Sequence, residues 1–239
     1  AITANMCRLW WTKKAQSCSP RTANGALGAV RKIFAMLRDS GYVVSDPTAK
    51  LERLSLKPTE FFIPGKEEFV RIVEEIRRAP LLRKSLDSPA ADMVAFLAYS
   101  GLRIEEARRL VWGDIGKDSI SVPAIKHAVK RRMLYINPAL RDVIERMKKT
   151  NNNLTATSPV FVIENPRKAL TNACVRLGLP HVRVHDLRHF FATTCIEQGV
   201  DIPTVAKWLG HQDGGALAMR VYGHLRDEHS KEQASRLRF

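Results

Sequence analysis

The stretch VHDLRHFFATTC, residues 184–195, decides how the chain is read. It sets His185, Asp186, Arg188 and His189 at the head of an apolar run. Leu187, Phe190 and Phe191 recur at helical spacing, so the run predicts a helix over 186–198 with that face in a core. His185 and Arg188 lie three residues apart and share one face. Unpaired backbone N–H groups at a helix start already attract anions, so the pair suits a phosphate. Packing of the same His and Arg against neighbouring carboxylates is the ordinary alternative.

Two further stretches, on either side of this one, offer the same chemistry. In YSGLRIEEARRL, Arg103 follows the Gly101 break and opens a helix. Its guanidinium can fork onto two phosphate oxygens, or pair with Glu105 or Glu106 as a cap or surface contact. In KWLGHQDGGALAMRVYGHL, Gly210 ends a short helix, His211 follows, and a Gly-rich turn leads to Tyr222. Between them, DSISVPAIKHAVKRRMLYINPA alternates in hydropathy. That predicts a β-hairpin with SISV and MLYI as strands and a basic connection carrying Lys126, Lys130, Arg131 and Arg132.

The remainder reads as helix: 3–16 with Met6, Leu9 and Trp10 on one face, and a helix opened by Ser19 and Pro20 and closed by Gly41. SDPTAKLERLSLKP reads as turn, short helix and exit strand. Further helices are expected at 64–79, 88–101, 104–112, 138–150, 167–177, 203–209 and 215–222. The fold class is therefore mainly α with a small antiparallel β-sheet. Pro58 and a shift in charge density place a boundary there, giving a small helical domain over 1–58 and a larger one over 59–239.

The chain has 239 residues and a formal charge of +15, of which +7 falls in residues 1–58. That excess favours a polyanionic partner, most simply nucleic acid. No apolar run approaches the ~20 residues of a membrane span. Cys7, Cys18, Cys174 and Cys195 lack C-x-x-C spacing and read as reduced thiols of an intracellular protein. Asp and Glu are scattered, with no carboxylate cluster for two-metal phosphoryl transfer. The opening AITANM lacks an initiator Met, and an N-terminally incomplete first domain is expected.

Taken together, the order GLR, Lys-bearing hairpin, HDLRH, LGH, Tyr resembles the tyrosine recombinase (phage integrase) family over nearly the whole chain. The resemblance implies a core-binding DNA-binding domain followed by a catalytic domain that cuts and rejoins DNA. It implies Tyr222 as nucleophile, forming a 3′-phosphotyrosine and a free 5′-hydroxyl, with no cofactor, no metal and no ATP. Arg103 and Arg188 would hold the non-bridging oxygens, His185 would take the tyrosine proton, and His211 would bond the scissile phosphate. Lys126, or its rival Lys130, would protonate the leaving oxygen, and the other hairpin cations would contact the DNA backbone.

His211 to Tyr222 spans eleven residues, two more than is common in the family, an insertion that Gly214–Gly215 can absorb. Implied partners are double-stranded DNA at attachment sites, further copies of the chain in a tetramer, and accessory DNA-bending or directionality proteins. The tail, with Leu237 and Phe239, would dock on a neighbouring subunit or fold back. The implied location is the cytoplasm of a bacterial host, at the nucleoid. Two other readings are a helix-turn-helix binder over 191–222 and a type IB topoisomerase-like enzyme.

Overall fold

The structure is a computed structural model, and it describes residues 2–56, 62–78, 88–124, 131–150 and 153–210. The chain divides into two compact units, Ala1–Glu60 and Phe61–Phe239.

In the first unit, α1 (Ala4–Ser17) is capped by the Thr3 hydroxyl and α2 (Pro20–Asp39) by the Ser19 hydroxyl, with Pro20 in the first turn. Trp11 of α1 packs with Ala23 and Leu27 of α2. The buried face of α1 carries Cys7 and Trp11, while Met6 and Leu9 are exposed. The expected face was therefore rotated by one residue, because two large indoles in sequence leave either register apolar. Among the described residues after Ser45, the expected short helix and exit strand are absent: residues 47–50 are turns and 51–56 carry no regular element. Side chains hold that segment instead. Asn24 Nδ2 donates to the Leu54 carbonyl at 2.8 Å and Asn24 Oδ1 accepts from the Leu54 N–H at 2.9 Å. Arg31 donates to the carbonyl of Leu51, and Asp46 Oδ1 accepts from the Thr48 N–H and hydroxyl.

The second unit is built round α4 (Pro89–Ser100), an apolar helix buried on nearly every side. A helix apolar all round is stable only when surrounded. Around it stand α3 (Lys66–Arg78), α6 (Pro138–Lys149), α7 (Arg167–Arg176) and α8 (Asp186–Glu197). Phe69 of α3 stacks on Phe190 of α8, ring centroids 4.6 Å apart. The one acidic side chain of α4, Asp92, is buried and held by Arg77 of α3 at 2.6 Å and Arg146 of α6 at 3.0 Å. α9 (Ile202–Leu209) packs its Ile202, Val205 and Leu209 face on Phe191 and Ile196.

The helix after Gly101 is shorter than expected: α5 covers only Ile104–Ala107, and a 3-10 turn follows at Trp112–Asp114. The hairpin is present as β1 (Ser119–Val122) and β2 (Arg132–Tyr135), antiparallel, with Ile120 opposite Leu134 and Val122 opposite Arg132. β2 begins one residue before the expected MLYI. Side chains alternate across a strand, so Arg132 shares the inner face with buried Leu134, and Met133 and Tyr135 face out. The expected helix at 215–222 lies outside the described residues.

Candidate active site

α4 ends at Gly101, whose φ of +64° reverses the chain. An added Cβ there would lie 2.4 Å from Phe191 Cδ1, so glycine also lets α8 approach. That closeness puts Arg188, on the first turns of α8, under the reversal. Arg188 is 4% exposed; its Nη1 donates to the Gly101 carbonyl at 2.8 Å and its Nη2 to the Leu209 carbonyl at 2.6 Å. Arg103 leaves the reversal from the other side. Its Nη1 donates to Glu106 Oε1 at 3.2 Å and reaches the Leu209 carbonyl at 3.5 Å. Two guanidiniums thus meet at one carbonyl, at the C-terminal end of α9.

His185 precedes α8 directly, and its carbonyl accepts from the Arg188 N–H. Asp186 anchors this turn: its carboxylate accepts from the Arg183 N–H at 2.8 Å and from the Arg183 guanidinium at 2.7 Å. Burial, and then the charges of Arg188, Arg103 and Arg183, push the His185 imidazole below its ordinary pKa, against the opposing pull of Asp186. Both effects favour the neutral ring, the form that can accept a proton. His189, one turn on, lies edge-on to His185 with ring centroids 5.2 Å apart. Its pKa is also lowered, by burial first and by His185 next.

The structure brings together three of the expected site residues, Arg103, His185 and Arg188. Lys126, Lys130, His211 and Tyr222 lie outside the described residues. Gly210, the residue before His211, has φ of +68° and follows the Leu209 carbonyl that both arginines reach.

Two residues of the site were not assigned from sequence. Glu106 is 3% exposed, and Arg132 forks onto it, Nη1 to Oε1 at 2.7 Å and Nη2 to Oε2 at 2.8 Å. Burial alone would raise the Glu106 carboxyl. Arg132, with the Arg103 N–H and guanidinium, outweighs it and holds the group below the usual carboxylate range. The R-x-x-E spacing at 103–106 carries the capping signal, and the Arg103 N–H does donate to Glu106 Oε2 at 2.8 Å. Nothing local marks Arg132, which is 26 residues from Glu106. Expected to contact DNA, Arg132 instead points inward, and Arg131 pairs with the Asp114 carboxylate at 2.7 Å. Both follow from buried carboxylates needing a counter-charge.

Residues 65–229 match the model of the phage integrase family. The ICEBs1 integrase of Bacillus subtilis (strain 168) is 27% identical over 92% of this chain and 66% of its own length. The tyrosine recombinase XerC of Xanthomonas campestris pv. campestris (strain B100) is 27% identical over 88% of this chain and 66% of its own. The chain thus spans just under two thirds of these relatives. The fold is similar to that of a lambda integrase dimer bound to a COC′ core site, with a TM-score of 0.72 at 15% identity over 92% of this chain and 64% of that one. The match covers more than half of the chain and spans every motif read above from GLR to Tyr222: the chain belongs to the phage integrase family.

Proposed function

We propose that the chain is a site-specific tyrosine recombinase of a phage or genomic island, acting on double-stranded DNA. The observation that carries this reading is the convergence of Arg103 and Arg188 on the Leu209 carbonyl at the end of α9, with the His185 imidazole under the electrostatic influence of both. Two guanidiniums and a proton acceptor are what a phosphodiester attacked by a phenol requires. Ionising Tyr222 at pH 7 against a reference pKa near 10 costs about 4 kcal/mol. Proton removal by His185, and charge stabilisation by the arginines, lower that cost in the transition state.

The step balances within the residues named. The Tyr222 Oη attacks phosphorus and gives its proton to His185, while the bond to the 5′-oxygen breaks. The leaving oxygen takes a proton from Lys126 or Lys130. The phosphotyrosine keeps the bond energy, so a 5′-hydroxyl attacking it rejoins strands without ATP. His211 hydrogen-bonds the phosphate throughout. The first unit, dense in Lys and Arg, serves as a core-binding domain. Further copies assemble with it on DNA as a tetramer, and accessory DNA-bending or directionality proteins set the outcome. It acts in the host cytoplasm at the nucleoid.

The helix-turn-helix reading is less well supported. α8 and α9 are joined by a turn at Gly199, but α9 is eight residues long with Ile202, Val205, Ala206 and Leu209 buried. Its end is occupied by arginines rather than open to a groove. Arg103→Ala separates the readings. We expect cleavage of a bound, nicked duplex to fall by about 10³-fold, in line with loss of one transition-state donor, with affinity within a few fold. Cleavage unchanged in this variant sinks the assignment.

A further inference from the structure

Arg132 sits where three parts of the second unit meet, and resting on the reading above, we infer that it is a positioning residue for the strand-transfer site. Its fork onto Glu106 fixes the carboxylate that in turn holds the Arg103 N–H and guanidinium. Its Nε donates to the Trp208 carbonyl at 3.0 Å, one residue before the carbonyl that Arg103 and Arg188 share. Its side chain also lies against Gly210, where an added Cβ would come 3.0 Å from the Arg132 Cζ. One planar guanidinium therefore sets the distance between the start of α5, the end of α9 and the strand that leads back to the hairpin connection. Lys cannot replace that geometry, since an ammonium lacks the fork.

The consequence is specific. Without the fork, Glu106 keeps its ion pair with Arg103 and draws that guanidinium away from a phosphate. The turn into His211 loses its side-chain anchor at the Trp208 carbonyl. A displacement of about 1 Å at such a site slows chemistry by about 100-fold.

The test uses the full chain on a nicked duplex chosen for binding from a randomised pool, with covalent complex formation followed in single turnover at saturating protein. Arg132→Met is compared with Arg132→Lys and with Arg146→Met. Arg146 is a matched control: it too is one of two arginines on a buried carboxylate, Asp92, but stands away from the site. Thermal midpoints are read in parallel, and the rates are compared at a temperature where all variants are folded. We expect Arg132→Met to react about 100-fold more slowly with affinity within a few fold, Arg132→Lys to fall between, and Arg146→Met to stay within a few fold of wild type despite a lowered midpoint. Wild-type rate in Arg132→Met, or an equal loss in Arg146→Met, overturns the proposal. A wild-type chain that binds the duplex and forms no covalent complex overturns the recombinase reading and the positioning role with it.

Discussion

Gly101 combines two requirements that no side chain can meet together. Its positive φ ends α4, and the space above its Cα is filled by Phe191. Its carbonyl then takes Arg188 Nη1. A left-handed non-glycine residue costs about 1–2 kcal/mol, and overpacking a filled site typically about 1–3 kcal/mol. Gly101→Ala should therefore lower unfolding stability by about 3 kcal/mol in a denaturant titration; a loss below about 1 kcal/mol would mean that α8 can retreat freely. From the sequence, Gly101 reads as a helix end and Arg103 as the residue beyond it. That the same glycine admits Phe191 and seats Arg188 is a fact of helix packing, which no local spacing encodes.

Among the elements, α8 is the one that sequence describes best. Its apolar face, its start at Asp186 and the pairing of His185 with Arg188 are all local features of 3.6-residue periodicity. β2 is the one it describes less well. Starting β2 one residue earlier takes Arg132 from the basic connection into the strand, and its partners there, Glu106 and the Trp208 carbonyl, lie on different elements.

α8 also gives the site a pH dependence. His185 and His189 both titrate lower in the folded chain than in the unfolded one, where the imidazole pKa is about 6.5. The charged groups around them include Arg103, Arg183 and Arg188, which disfavour the cation, and Asp186, which favours it; His185 in turn disfavours the His189 cation. Below about pH 6.5 the unfolded state binds more protons than the native one, so stability falls as pH falls. The stabilising contribution is full above that pH and is lost toward the folded-state values. His185→Gln should flatten the decline of the thermal midpoint between about pH 7 and pH 5. An unchanged slope would place the titrating groups elsewhere.

At the scale of the whole molecule, the +15 charge bears on affinity rather than on fold. The described residues contain no helix long and apolar enough to cross a membrane. If the two units hold DNA by phosphate contacts, the logarithm of affinity should fall linearly and steeply with the logarithm of salt concentration. A filter-binding or anisotropy series from about 50 to 200 mM salt measures the slope, and a flat line contradicts backbone binding.

Whether this architecture serves a tyrosine nucleophile is decided by covalent trapping. The full chain is incubated with a labelled nicked duplex that it binds, EDTA present, and run on a denaturing gel beside Tyr222→Phe. The account predicts a retarded protein–DNA band in the wild type that is lost in the variant. An unaltered band in Tyr222→Phe, or none in the wild type on a duplex demonstrably bound, would contradict it.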